Sequence, residues 1–156
     1  MDIHREIKII NRFQEKFGLR QSVRRACDLL VSYIGALQKP LPEIAAQGFN
    51  VAIKCKEGSA LPDEVETARV QIVNSLREWG AYYSQYPIEH MVSFILGCYR
   101  DLAHERGLAS YDYDFPYEFV SASLERIDTF ESNHELFRKL LKEYFPLYTK
   151  GGATPA

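Results

Sequence analysis

The chain has 156 residues, of which 46% are hydrophobic and 26% are charged, with a formal net charge of −2 and a pI of about 6.1. These values are typical of one soluble globular domain, and they exclude a disordered chain, a collagen and a coiled-coil rod. The small negative net charge gives no support to a nucleic-acid partner.

The sequence predicts a cytoplasmic protein that is not inserted in a membrane. Charged residues are spread through positions 1–20, so this segment lacks the apolar stretch of a secretory signal. The longest apolar run, residues 91–98, is too short to span a bilayer. Cys27, Cys55 and Cys98 lie far apart at apolar positions of helical patterns, which predicts buried, reduced thiols rather than a zinc site.

The first three predicted helices come from apolar residues that recur every three or four positions. The first helix lies between Asp2, its cap, and Gly18, its end. The second carries an apolar face over residues 23–37. The third begins after Pro42, and Gly48 lowers its intrinsic helix propensity.

Four further helices follow from the same spacing and from the residues that begin and end helices. The fourth starts at Pro62 and continues to about residue 84. The fifth extends from Pro87 to Gly107, and its wide apolar arc predicts a central position in the fold. The sixth follows a loop, and the seventh begins at a capping box in which Ser132 is the cap.

These segments predict an all-α fold: a single helical domain over residues 1–148, packed as an irregular bundle of about six or seven helices. Residues 149–156, which include two adjacent glycines, predict a flexible C-terminal tail. No strand-like alternation of useful length appears in the sequence. The residues expected in the core are Leu30, Ile72, Trp79, Phe94, Cys98, Leu124 and Leu140.

Acidic and aromatic residues concentrate in one short segment. Residues 57–135 hold fifteen acidic and five basic side chains, and residues 110–119 within them combine three acids with five aromatic rings. Burying every ring would carry the interleaved acids inside, so some rings are expected at the surface. Exposed rings beside carboxylates suit an anchor for a basic protein partner. The candidate binding residues are Tyr111, Asp112, Tyr113, Asp114, Tyr117 and Glu118.

The leading hypothesis is a non-enzymatic protein-binding module, such as an inhibitor or immunity protein that covers a basic site on a toxin. In general design, a small acidic helical protein with a Tyr- and Asp-rich surface is similar to the helical immunity proteins that neutralise nuclease toxins. That similarity implies action by covering an active site, without a catalytic residue or a cofactor. The alternative for the segment is an ordered loop whose rings plug the bundle while Asp112 and Asp114 cap turns.

A metal-binding protein or a small helical enzyme is a second hypothesis. Asp101 and His104 are three residues apart on the fifth predicted helix and face the same way, with Glu105 beside them. Glu131 and His134 repeat the spacing but straddle a helix start. A carboxylate-bundle metal site needs such a pair from each of two helices, so we predict no bound metal. No nucleophile motif or phosphate-binding loop appears in the sequence, so we predict no catalytic residue.

A nucleic-acid-associated subunit is the third hypothesis. Arg5, Lys8, Arg12 and Lys16 form a basic stripe on one face of the first predicted helix, and residues 1–56 carry ten basic and five acidic side chains. Any amphipathic helix needs a solvated face, however, and Lys and Arg commonly supply it. The stripe therefore supports a nucleic-acid partner less well than the acidic aromatic residues support a protein partner.

Overall fold

The computed structural model describes residues 2–80 and 85–147, and the regular secondary structure in these ranges is entirely α-helical. The helices are α1 (Ile3–Glu6), α2 (Ile9–Phe17), α3 (Leu19–Leu37), α4 (Glu43–Glu57), α5 (Pro62–Glu78), α6 (Pro87–Leu102), α7 (Phe115–Asp128) and α8 (His134–Tyr144). The prediction of an all-α bundle is confirmed. None of these helices is long and apolar enough to cross a membrane. The predicted tail at 149–156 and the predicted helix end at residue 84 lie outside the described residues.

The first predicted helix is interrupted. α1 starts as predicted, with the Asp2 carboxylate accepting a hydrogen bond of 3.0 Å from the His4 amide. A turn at Ile7 and Lys8 then separates α1 from α2. The apolar stripe continues across this turn, because Ile7 and Ile10 are both fully buried.

Proline and glycine mark several helix ends, as the sequence predicts. Pro62 and Pro87 are the first residues of α5 and α6, and Pro42 directly precedes α4. α2 passes into α3 through Gly18, whose φ of 91° is a conformation that other residues rarely adopt. Gly58 ends α4 in the left-handed conformation.

Three helix boundaries differ from the prediction. α5 ends at Glu78, well before the predicted end near residue 84. α6 ends five residues earlier than predicted, because the chain turns sharply and brings Gly107 against the carbonyl of Asp101. α8 is capped by Asn133 instead of Ser132, since Asn133 Oδ1 accepts a hydrogen bond of 3.1 Å from the Leu136 amide. The helices themselves are those that the apolar spacing indicates.

α6 lies at the centre of the bundle, as its wide apolar arc predicts. It packs against α3, α4, α5 and α7, while α3 also packs against α2, α7 and α8. α4 approaches its neighbours closely at Gly48, where a β-carbon would lie 2.6 Å from Ile72 Cδ1 and 3.1 Å from Val92 Cγ1. Close helix packing therefore favours a glycine at position 48 despite its low helix propensity.

The predicted core is partly confirmed. Trp79 and Phe94 were expected inside, but their side chains are 48% and 38% exposed, and Leu140 is only partly buried. Trp79 follows the last residue of α5, where helical spacing no longer sets the side-chain direction. Phe94 opens onto a cleft between α5, α6 and α7, with the Arg126 guanidinium 5.6 Å from its ring centroid. The predicted core residues that are buried are Leu30, Ile72, Cys98 and Leu124.

All three cysteines are buried and free. Burial raises the pKa of the Cys27 thiol well above its ordinary value and that of Cys55 to about 11. Both thiols are therefore protonated at neutral pH and act as small apolar side chains. This agrees with the prediction from their helical positions.

Candidate functional site

The acidic aromatic segment, residues 110–119, is joined to α6 by a series of tight turns. Backbone hydrogen bonds such as that from Tyr111 N to Leu108 O, at 3.0 Å, close these turns, and the Leu108 side chain is buried. A β-carbon at Gly107 would lie 1.9 Å from the carbonyl oxygen of Asp101. The path of the chain into the segment therefore depends on a glycine at this position.

Arg20 of α3 fixes the start of the turns. Its guanidinium donates hydrogen bonds to the carbonyl oxygens of Leu102, His104 and Glu105 at 2.7, 2.8 and 3.0 Å. These carbonyls lie at or just beyond the C-terminal end of α6, where a cation also interacts favourably with the helix dipole. No sequence pattern indicates this long-range cap, which joins residues more than eighty positions apart.

Tyr111 faces the bundle. Its hydroxyl donates a hydrogen bond of 2.5 Å to Asp101 Oδ2, and its ring packs edge-on against Phe115 with centroids 4.7 Å apart. Burial, together with the neighbouring Cys98 and Asp101, raises the pKa of Tyr111 well above its ordinary value. The hydroxyl therefore stays protonated, and Tyr111 holds the segment against α6.

Tyr113 lies on the outer side of the same segment. Its side chain is 58% exposed, and the flanking Asp112 and Asp114 are exposed too. The backbone beneath it is fixed, because the buried side chain of Gln14 donates a hydrogen bond of 2.6 Å to Tyr113 O. Asp114 precedes α7, yet its side chain makes no capping hydrogen bond. The two carboxylates thus face solvent on either side of an exposed ring.

The first turn of α7 completes the segment. Tyr117 is half-buried and Glu118 is exposed, while Phe115 and Phe119 stack with centroids 5.1 Å apart. Four of the five rings therefore pack at least partly on the bundle, and Tyr113 faces outward. The protein-binding hypothesis and the ordered-loop alternative each describe part of the segment. The outward-facing candidate residues are Asp112, Tyr113, Asp114 and Glu118, and the inward-facing ones are Tyr111 and Tyr117.

A cleft of about 510 Å³ between α5, α6 and α7 adjoins the segment. Four aromatic side chains contribute to its lining: Phe94, Tyr111, Phe115 and Phe119. Glu118 also lines the cleft. An accessible apolar surface thus lies directly beside the exposed acids, a combination that suits an apolar side chain of a partner protein.

Charged side chains fix the wall of the cleft opposite the segment. Glu66 of α5 accepts hydrogen bonds from Arg69 at 2.7 and 2.9 Å and from Arg100 of α6 at 3.3 Å. Arg100 also donates to Asp101 Oδ1 at 3.0 Å, which positions the carboxylate that accepts the Tyr111 hydroxyl. The hydrogen bond from Arg69, with the charges of both arginines, lowers the pKa of Glu66 to about 2.

The residues of the metal hypothesis are not brought together with further ligands. The Asp101 carboxylate accepts hydrogen bonds from two side chains, and His104 lies exposed beyond the end of α6. His134 Nε2 lies 2.9 Å from Asp128 Oδ2, a carboxylate outside the predicted pair of Glu131 and His134. Within the described residues, no group of three or more His, Cys, Asp or Glu side chains could hold a metal ion.

The basic residues of the N-terminal region separate into two groups. Arg24 and Arg25 rest on aromatic rings, 5.9 Å from the Tyr99 centroid and 5.3 Å from the Phe13 centroid, and Arg20 caps α6. The second group is exposed and lines a groove against α8. Its members are Arg5, Lys8 and Arg12.

No protein-family model, curated protein sequence or solved structure matches this chain. The similarity in general design to helical immunity proteins is therefore not accompanied by a matched family. The function is inferred from the geometry of the acidic aromatic segment and the surfaces around it.

Proposed function

We propose that this protein is a non-enzymatic protein-binding module whose contact surface is centred on Asp112, Tyr113 and Asp114. One observation carries the proposal: an exposed tyrosine ring stands between two exposed carboxylates on a backbone held by the buried Gln14. Because the backbone beneath the ring is already fixed, less conformational entropy is lost when a partner covers Tyr113.

The chemistry of the surface indicates a partner with a basic face. Carboxylates at the rim of an interface accelerate encounter with a positively charged protein and pair with its Lys and Arg side chains. Tyr113 would supply the buried contact area, and the cleft lined by Phe94 would accept an apolar side chain of the partner. Tyr111 and Tyr117 would contribute by holding the segment in place.

An inhibitor or immunity protein is the most concrete form of this proposal. Such a protein would cover a basic site, for example the active site of a nuclease toxin, with its acidic aromatic surface. Inhibition of this kind needs shape, charge and a rigid anchor but no chemistry of its own.

A pull-down from an extract of the native host, followed by mass spectrometry, tests the proposal. The segment variant combines Asp112→Asn, Tyr113→Ala and Asp114→Asn. The control variant combines Glu57→Gln, Glu78→Gln and Trp79→Ala, and so also removes two exposed carboxylates and one exposed aromatic ring. We expect the wild type and the control variant to retain a basic protein that the segment variant loses. Equal retention by all three would contradict the proposed surface.

Binding kinetics with the captured partner separate the roles of the residues. Asp112→Asn with Asp114→Asn should slow association and weaken its dependence on salt, because the carboxylates act at long range. Tyr113→Ala should cost on the order of 2 kcal/mol in affinity, mainly through faster dissociation. Surface plasmon resonance at several salt concentrations measures both effects. Unchanged association for the double Asn variant would refute the steering role.

A further inference from the structure

A second charged surface, the cationic groove, lies between the N-terminal helices and α8. Five basic side chains line it: Arg5, Lys8, Arg12, Arg138 and Lys142. The groove has a volume of about 280 Å³. It combines three residues of the basic stripe with two bases from near the other end of the chain, while Lys16 lies outside it and donates to the Leu147 carbonyl. The proposed protein-binding surface makes no use of the groove.

The groove holds more positive charge than its surroundings neutralise. Glu6 is the only acidic side chain among the described lining residues, and it accepts a hydrogen bond of 2.5 Å from Arg138. Arg5, Lys8, Arg12 and Lys142 form no ion pair within the described residues. Like charges that converge in a concave site create a positive potential that attracts anions.

We propose that the cationic groove binds an anion with two or more consecutive phosphate groups. Arginine forms paired hydrogen bonds with phosphate oxygens, and lysine supplies a compact positive charge. The bases come from three helices or their ends: Arg5 lies on α1, Lys8 and Arg12 lie at the start of α2 and within it, and Arg138 and Lys142 lie on α8. Several bases spread along one groove can contact consecutive phosphates at once, whereas a single phosphate meets only part of them.

The lining also restricts the kind of anion. At about 280 Å³, the groove lies near the lower limit of the roughly 300–1,000 Å³ typical of small-molecule pockets, a size that accommodates a short phosphate chain. No aromatic ring is among its described lining residues, so a nucleic-acid base would find no stacking partner. The apolar residues among its described lining are the partly buried Ile9 and the buried Leu141. Neither offers an exposed apolar side chain for insertion into a lipid surface.

Calorimetric titration with inorganic tripolyphosphate tests the proposal. The groove variant combines Arg12→Gln with Lys142→Gln. The control variant combines Arg106→Gln with Lys56→Gln and so removes the same two residue types from exposed positions outside the groove. We expect wild-type binding that the groove variant weakens at least tenfold and the control variant changes less than twofold. Melting curves establish that both variants are folded, and Arg12→Lys alone should retain most of the affinity.

Three further probes, namely orthophosphate, a single-stranded oligothymidylate and vesicles with anionic lipid, distinguish other sources of phosphate. Tripolyphosphate should bind more tightly than orthophosphate, because only the longer anion contacts several bases at once. Absence of tripolyphosphate binding, or an equal loss in both variants, would overturn the proposal. Binding of a single-stranded oligothymidylate or of vesicles with anionic lipid, without binding of tripolyphosphate, would also overturn it, in favour of a nucleic-acid or membrane surface.

Discussion

Tyr111 and Tyr113 are two positions apart and have opposite environments. Tyr111 is partly buried, packs on Phe115 and donates to Asp101, so Tyr111→Ala should destabilise the fold by about 3 kcal/mol, the lower end of the range for buried rings. Tyr113 is mostly exposed, and Tyr113→Ala should change the free energy of unfolding by no more than about 0.5 kcal/mol. Chemical denaturation of the two single variants measures both values.

The conservative variant Tyr111→Phe isolates the hydroxyl. It keeps the ring and removes only the hydrogen bond to the Asp101 carboxylate, which should cost about 1.5–3 kcal/mol. A chain of this size loses roughly 2–4 °C in melting temperature per kcal/mol. Equal losses of unfolding free energy in Tyr111→Ala and Tyr113→Ala would mean that the inward-facing and outward-facing residues of the segment are assigned wrongly.

Gly107 is the residue that lets the chain turn back against the end of α6. In Gly107→Ala the new β-carbon would meet the Asp101 carbonyl oxygen, a backbone atom that cannot move without opening the turn. We expect a loss of about 1–3 kcal/mol, as for other overpacked sites. Gly97→Ala is the control: its β-carbon would lie 3.8 Å from Arg69 Cδ, and alanine is the better helix former. Thermal melts that rank the two variants in the reverse order would contradict this interpretation.

Gly48 shows the same effect at the level of helix packing. In Gly48→Ala the β-carbon would come 2.6 Å from Ile72 Cδ1 and 3.1 Å from Val92 Cγ1, so these fully buried side chains or α4 itself must shift. The gain in helix propensity, about 1 kcal/mol, should be outweighed by about 1–3 kcal/mol of overpacking. Gly35→Ala, whose nearest contact would be 3.9 Å, should instead stabilise the protein. Urea denaturation of both variants tests the difference in sign.

The sequence predicted the helices well because each depends on local apolar spacing and on its own caps. Phe94 shows where that information ends: α6 is apolar on nearly every side, and spacing alone does not tell which position faces the cleft. Arg20 and Gln14 show the same for the site. Gln14 holds the acidic aromatic segment through one long-range hydrogen bond to a backbone carbonyl, and Arg20 holds the turns before it through three. Such contacts leave no pattern in the sequence.

At the scale of the whole molecule, charge is divided between the two proposed surfaces. The middle of the chain, residues 57–135, carries a net charge of −10, while residues 1–56 and 136–156 carry +5 and +3. The fold brings basic residues from both ends of the chain together at the cationic groove, and the acidic segment lies in the middle part. A net charge of only −2 therefore describes neither surface, and each can attract a partner of opposite sign.

The ion pairs of Glu66 should make the stability of the fold depend on pH. The pKa of Glu66 is lowered from 4.5 to about 2, so its ion pairs with Arg69 and Arg100 stabilise the fold fully above pH 4.5. That contribution should be lost as the pH falls from 4.5 towards 2. Glu66→Gln should therefore lower stability at neutral pH and reduce its decline over this range. Urea denaturation at pH values from 2 to 7 measures the two slopes.

Asp28 should respond in the opposite direction and serves as the matched comparison. Burial raises the pKa of Asp28. This effect exceeds the opposite effects of the hydrogen bond from the Tyr99 hydroxyl and of the nearby Arg24, so the charged carboxylate lowers the stability of the fold at neutral pH. Asp28→Asn retains an oxygen that accepts the Tyr99 hydroxyl and removes that charge. We expect this variant to be more stable than the wild type at pH 7, with the difference shrinking as acid protonates Asp28 in the wild type. A loss of stability in Asp28→Asn at pH 7 would show that Arg24 and Tyr99 outweigh the cost of burial.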